Sequence, residues 1–248
     1  MLRPRIIPSL LLHDKGLVKT VNFKAPKYVG DPINAVRIFS EKEVDELVVL
    51  DIDATRESRE PNYSLIAEIA GECFMPVAYG GGVRTLDQIR KLIRTGVEKV
   101  VINSAAIEST EIIKAAAEVF GSQAIVVAVD VRKTLLSGYK VVSKSATFEN
   151  KVRLEEHLSR VVLAGAGELL LTNVDRDGMM TGYDLDLIKQ VTQLINVPVI
   201  ASGGAGTVEH LRQAVQHAGA SAVSAGSMFV FHGKHRAVLI NYPTNLRL

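Results

Sequence analysis

Hydrophobic side chains in this chain come in short continuous runs rather than in alternation with polar ones. The runs cover residues 5–11, 46–52, 76–79, 99–102, 124–130, 168–172, 198–201 and 222–225, and Val, Ile and Leu dominate them. Unbroken runs of this length are expected of parallel strands buried on both faces. Between them the apolar spacing changes to a helical period. Leu86, Ile89, Leu92 and Ile93 share one face, with Asp87, Arg90, Lys91 and Arg94 on the other. Ile112, Ile113, Ala116 and Val119 form a second stripe, and Leu185, Ile188, Val191, Leu194 and Ile195 a third. Eight strands alternating with helices within 248 residues predict an α/β fold, a (β/α)₈ TIM barrel, with 1–248 as a single domain. A doubly wound sheet is the competing architecture, but it leaves two of the runs without a place.

An internal repeat divides the predicted barrel into two (β/α)₄ halves. A shift of 122 residues lays Glu46-Leu47-Val48-Val49 over Glu168-Leu169-Leu170-Leu171, and Asp53 over Asp175. The same shift lays Gly81-Gly82 over Gly203-Gly204. Aligning Ile7-Pro8-Ser9-Leu10-Leu11 on Val126-Val127-Ala128-Val129-Asp130 takes 119 instead, a slip of three that makes Leu11 the counterpart of Asp130.

Composition narrows the function. With 29 basic and 27 acidic side chains the net charge is +2, too small a field to gather nucleic acid or an anionic membrane. No Trp and 5% aromatics also argue against a stacking platform for bases. No apolar stretch is long enough to span a membrane. The run 6–12 is interrupted by Pro8 and Ser9 and followed by Lys15, Lys19 and Lys24, which does not read as a secretory signal. Cys73 is the only cysteine, so a disulfide framework and a thiolate zinc site are excluded and a cytoplasmic setting is expected. The chain has no paired metal-binding histidines, P-loop, dinucleotide fingerprint or Gly-x-Ser-x-Gly elbow, so neither metal nor cofactor is expected. His210, His217, His232 and His235 read as solvated, and Cys73 as packed.

Two glycine clusters follow strand runs: Gly80-Gly81-Gly82, and Ser202-Gly203-Gly204-Ala205-Gly206. Glycine lets backbone N–H groups approach an anion closely, and phosphate is the usual ligand where such a loop meets a helix at the top of a barrel. Asn103-Ser104 joins the first cluster, and Gly226-Ser227 the second. Tight turns without a ligand are the alternative. Two clusters related by the repeat point to two phosphate sites facing each other, fit for a small molecule phosphorylated at both ends.

Asp130 closes an apolar run, and a charge there belongs in the solvated mouth of the barrel, where a general acid or base is placed. Asp51, Asp53, Asp175 and Asp177 crowd the ends of the second and sixth strands, and for at least two of them turn or helix capping is expected. At the opposite end, Arg5, Glu46, Lys99 and Glu168 begin the first, second, fourth and sixth strands. They read either as surface ion pairs or as a ring lining a passage for a small polar molecule.

Arg5-Ile6-Ile7-Pro8, Val21-Asn22-Phe23-Lys24, Tyr79-Gly80-Gly81-Gly82-Val83-Arg84, Leu170-Leu171-Thr172, Asp175-Arg176-Asp177-Gly178 and Ala201-Ser202-Gly203-Gly204-Ala205-Gly206 together resemble the HisF family. This is the cyclase subunit of imidazole glycerol phosphate synthase. The resemblance, which covers nearly the whole chain, implies a barrel docked as a heterodimer on a HisH-like glutaminase subunit. Ammonia would enter past Arg5, Glu46, Lys99 and Glu168 and cross the barrel. At the top it would react with a two-phosphate ribulosyl formimino aminoimidazole carboxamide ribonucleotide, giving imidazole glycerol phosphate and an aminoimidazole carboxamide ribotide. Gly82, Asn103, Ser104, Gly203, Gly204, Gly226 and Ser227 would hold the phosphates. Lys19, Asp51, Thr172 and Asp177 would complete the substrate site, and Asp130 would be catalytic.

The departures from the family are specific. Its two aspartates, on strands one and five, are represented here by Leu11 and Asp130, and leucine transfers no proton. The segment Lys144-Ser145-Ala146-Thr147-Phe148 also lacks the family's Thr-Gly. These changes and the sequence from Phe229 to Pro243 resemble a paralogous branch associated with amidation of surface-polysaccharide sugars. That resemblance implies delivery of ammonia to a sugar amidotransferase; a histidine-pathway cyclase is the alternative. The apolar stretch 237–243 is expected to form the last barrel helix.

Overall fold

The computed structural model describes residues 3–134, 138–243 and 248. Eight strands form the barrel: β1 (Arg5–His13), β2 (Leu47–Asp51), β3 (Val77–Gly80), β4 (Lys99–Ile102), β5 (Ile125–Thr134), β6 (Glu168–Asn173), β7 (Val199–Ser202) and β8 (Ala222–Ala225). Each pairs in parallel with the next, and β8 pairs with β1, so the sheet closes. Followed from pair to pair round the barrel, the register is displaced by eight residues per circuit, the stagger of an eight-stranded barrel. This is the predicted (β/α)₈ fold.

That stagger sorts the inward side chains into layers of four from alternate strands. Ile7, Ala78, Val126 and Ile200 form one layer on β1, β3, β5 and β7. Val48, Val101, Leu170 and Ser224 form the next, on the even strands. The aliphatic members of both pack as one buried cluster, separate from the core between strands and helices.

The outer helices include α1 (Pro32–Glu41), α2 (Tyr63–Gly71) and α3 (Leu86–Arg94). In α3 the apolar stripe buries Ile89 and Leu92, while Thr85 and Gln88 form a capping box. Asp87 in its first turn and Lys91 and Arg94 in its last complement the helix dipole. The short α4 (Ser104–Glu108) precedes α5 (Glu111–Phe120), and α6 (Leu154–Leu163), α7 (Leu185–Leu194), α8 (Val208–Gln216) and the short α9 (Ser227–Val230) follow. Within the second and third predicted stripes, Val119 and Leu194 are exposed near their helix C-termini.

The repeat is visible in the backbone. Gly81, Gly82, Gly203 and Gly204 all have positive φ, and Asn103 and Gly226 open α4 and α9 from similar conformations (φ −120, ψ −86 and φ −110, ψ −72). Beyond the barrel, β1 turns into an antiparallel pair, Gly16–Val21 with Lys24–Gly30. β5 does the same with Gly138–Ser143 and Phe148–Arg153. These hairpins were not apparent in the apolar runs.

The expected helix over 237–243 does not form. Ala237–Val238 pairs with Phe231–His232, and beyond it the Leu239 and Asn241 amides bond to the Val230 and Phe229 carbonyls. Tyr242 is buried with its ring 5.3 Å from Phe229 and its hydroxyl 3.4 Å from the Ile6 carbonyl. Burying that one large side chain anchors the segment without regular structure.

Candidate functional site

At the entrance formed by the N-terminal strand ends, the four charges meet. Arg5 donates to both Glu46 and Glu168. Lys99 Nζ lies 2.9 Å from Glu46 and 2.9 Å from Glu168. Each cation therefore holds both carboxylates, and the side chains close a ring of alternating charge. Glu46 is 2% exposed, so this is a largely desolvated network rather than scattered surface pairing. Burial works against the charge on Arg5, but the bonds to Glu168 and the charge of Glu46 outweigh it and hold the pKa above its ordinary value. Directly above Glu46, Ile7, Val48, Ala78, Val126 and Ile200 help enclose a cavity of about 10 Å³, the lower limit for one water-sized molecule.

The C-terminal strand ends open into a cavity of about 670 Å³. Lys19, Asp51, Gly82, Asn103, Ser104, Asp130, Thr172, Asp177, Gly203, Gly204, Gly226 and Ser227 all line it, and so does Leu11. Residues from the ends of all eight strands, or from the segments that follow them, thus share one cavity. At Gly204, φ is +113 and an added Cβ would lie 2.2 Å from the Gly182 carbonyl oxygen. Only glycine permits the turn there.

Asp130 accepts from Asn103 Nδ2 at 2.9 Å. Burial, then the charge of Asp177, pushes its pKa up to about 7, against the opposing effect of bonds from Thr172 and Asn103. A carboxyl so placed exchanges protons near neutrality, as a general acid or base requires. Lys19 comes from the first hairpin yet is 5% exposed, and its Nζ bonds to the Ser9 carbonyl beside Gly226. Burial lowers its pKa to about 8, partly opposed by Asp177. Burial raises Asp177 in turn, countered by Lys19 and by Thr20, whose Oγ1 is 3.2 Å away. Asp130, Asp177 and Lys19 are thus electrically coupled within one cavity.

The other strand-end carboxylates hold the backbone. Asp51 accepts from the amides of Asp53 at 3.0 Å and Ala54 at 2.9 Å, and Asp175 from Lys133 at 3.0 Å. This is the turn capping expected for part of the group. Asp53 is different. It is 3% exposed and lies 2.8 Å from His13 Nδ1. The carboxylate makes Nδ1 the donor of a ring that lines the cavity, and Nε2 lies 4.0 Å from Asp14 Oδ2. His13 lies just past the apolar run, and strand parity two residues beyond Leu11 points it inward. Lys144, Ser145 and Ala146 all have positive φ, and Ser145 Oγ reaches the Ile52 carbonyl at 3.0 Å, bringing the loop after β5 over the mouth.

Residues 5–236 match the family model for the histidine biosynthesis protein. The chain belongs to that family. A Pseudomonas aeruginosa protein provisionally named imidazole glycerol phosphate synthase subunit hisF2 is 54% identical to it over 243 residues, covering 98% of this chain and 97% of its own. A Vibrio vulnificus protein provisionally named subunit hisF3 is 49% identical, covering 98% and 94%. A Streptococcus mutans protein named imidazole glycerol phosphate synthase subunit HisF is 42% identical, covering 92% and 91%. As a HisF-like member of the histidine biosynthesis family, the chain has the expected barrel and a cleft at its C-terminal face. Among the described residues no cluster of His, Cys, Asp or Glu is arranged to hold a metal ion. Among them, no helix is long and apolar enough to cross a membrane.

Proposed function

We propose that the chain is the barrel subunit of a cytoplasmic glutamine amidotransferase complex and channels ammonia instead of completing a cyclase reaction. The observation that carries this reading is an intact Arg5–Glu46–Lys99–Glu168 ring below a cavity wall in which Leu11 replaces an acid. A HisH-like glutaminase subunit would dock over the ring. Ammonia released there would pass the ring, cross the two aliphatic layers and emerge at the top. The recipient would be a sugar amidotransferase acting on a surface-polysaccharide sugar, such as one of a lipopolysaccharide O-antigen.

In this reading the ring is an ammonia gate whose paired charges exclude ions and part for a neutral molecule. Gly82, Asn103 and Ser104 on one side and Gly203, Gly204, Gly226 and Ser227 on the other retain two phosphate cradles, with Lys19 adding positive charge beside Gly226. Asp51, Thr172 and Asp177 complete the pocket for a phosphorylated small molecule. The relatives support a separate branch: identity is 49–54% to the provisionally named subunits and 42% to the Streptococcus mutans HisF.

A second reading, an authentic imidazole glycerol phosphate synthase cyclase, draws on Asp130, whose pKa near 7 suits acid–base work. Two assays on purified chain separate the readings. Stimulation of the glutaminase subunit without turnover of the aminonucleotide and ammonia supports the conduit. Imidazole glycerol phosphate formed at rates typical of a cyclase would overturn it, and failure to do either would reduce the barrel to a scaffold.

A further inference from the structure

We propose that Ser224 is a relay point for ammonia in the wall between the two barrel cavities, an inference that rests on the conduit reading and deepens it. Val101 and Leu170 line both the lower cavity of about 10 Å³ and the upper one of about 670 Å³, so their layer is the partition between them. The fourth member of that layer is Ser224, on β8. It is 1% exposed, faces the upper cavity, and its Oγ has no hydrogen-bond partner.

A buried hydroxyl without a partner carries an uncompensated desolvation cost, and a residue of similar size without the oxygen would avoid it. Ser224 therefore stands out in a layer otherwise made of Val48, Val101 and Leu170. One layer higher the inward positions are Ser9, Gly80, Ala128 and Ser202. Ser9 and Ser202 sit on β1 and β7, the two strands that flank β8, and both line the upper cavity. Three hydroxyls thus rise along one wall of the barrel, while the facing wall is aliphatic.

The chemistry of that wall selects a small neutral molecule able both to donate and to accept. Ammonia has three N–H donors and one lone pair, and loses its hydration in an aliphatic passage. A serine hydroxyl offers it one donor and two acceptor positions without adding charge. No carboxylate stands in either layer, so ammonium gains no counter-ion there. Ser224 accepts the molecule above the lower cavity and passes it to Ser9 and Ser202 on the way to the mouth.

The test uses crystals of the full chain soaked in hydroxylamine, which is uncharged at neutral pH and whose two heavy atoms distinguish it from water. Threonine and valine have nearly the same shape, so Ser224→Thr and Ser224→Val differ from each other by the hydroxyl. Two-atom density within about 3 Å of the residue-224 oxygen is expected in the wild type and in Ser224→Thr, and none in Ser224→Val. Only single-atom density beside Ser224 in the wild type, or equal occupancy in the valine variant, would overturn the relay. Stimulation of the glutaminase by wild-type chain is measured in parallel. If stimulation is present and hydroxylamine ignores Ser224, the relay alone falls; if stimulation is absent, the conduit falls and the relay with it.

Discussion

Leu11 and Asp130 occupy equivalent places on opposite sides of the barrel. Leu11 pairs with Leu50 on the neighbouring strand, and Asp130 pairs with Thr172. Leu50 and Thr172 are 122 residues apart, but Leu11 and Asp130 are 119 apart, because the connection from β5 to β6 is three residues longer than that from β1 to β2. The slip that blurs the repeat is therefore an insertion between strands, and a carboxyl on one side of the cavity faces an isobutyl group on the other.

Placing a carboxyl on β1 should restore what that symmetry lacks. Wild-type chain is expected to leave the aminonucleotide unchanged in the presence of ammonia at high pH. Leu11→Asp is expected to gain turnover, within the roughly 10²–10⁴-fold that a positioned acid or base contributes. Imidazole glycerol phosphate is the product to follow. Equal turnover by wild type and variant would mean that Leu11 is not the defect, and would leave His13 and Asp177 as the groups to examine.

Asp130 makes stability depend on pH in a definite direction. Its folded pKa, about 7, lies above the unfolded value of about 3.9. The folded state therefore holds its proton more tightly, and this contribution is complete below pH 4 and lost as pH rises through 7. Asp130→Asn removes the charge, so its advantage over wild type should grow from near zero at pH 4 to about 1–2 kcal/mol at pH 8. That magnitude is smaller than the shift alone would give, because the carboxyl borders an open cavity. Urea denaturation at the two pH values measures it, and a constant difference between them would contradict the assigned cause.

Much of this was legible in the chain. Buried parallel strands leave continuous apolar runs, so eight strands and their order could be read directly, and a charge at either end of a run marked the site or the ring. What could not be read were contacts made by residues outside the runs. Lys19 enters the cavity only because an antiparallel hairpin folds back on β1, and Asp53 meets His13 across strands 40 residues apart in sequence. Ser224 looked like part of an apolar strand until its layer was known. The stretch 237–243 is apolar, but Val238, Ile240, Asn241, Tyr242 and Pro243 are poor helix formers, and Tyr242 packs against Phe229 instead.

Two glycines in the second cradle should respond oppositely to alanine. At Gly204 a methyl group meets the Gly182 carbonyl at 2.2 Å and φ is +113, so both space and backbone oppose it. Gly204→Ala is expected to cost roughly 2–4 kcal/mol of unfolding free energy. At Gly226 φ is −110, and the methyl meets the flexible Lys19 Nζ at 2.4 Å. Gly226→Ala should change stability by less than about 1 kcal/mol while displacing Lys19 and weakening binding of a phosphorylated sugar. Thermal melts and calorimetric titration with ribose 5-phosphate separate the two effects; a similar destabilisation in both variants would contradict the geometry.

The ring offers the sharpest distinction between surface pairing and a cooperative network. Arg5 is 27% exposed and Lys99 17%, yet both act on Glu46, which is 2% exposed. Arg5→Met leaves Glu46 and Glu168 sharing the single charge of Lys99, and should cost about 1–3 kcal/mol once the partial exposure of Arg5 is allowed for. Glu46→Leu alone leaves two cations on Glu168 and should cost a similar amount. The double variant removes a complete pair and should cost less than the sum, with a coupling above about 1 kcal/mol in a double-mutant cycle. Because the pair is screened from solvent, that coupling should survive 1 M NaCl, where exposed pairs fade. Coupling near zero, or its loss in salt, would make the four residues ordinary surface ion pairs and remove the physical basis for a gate.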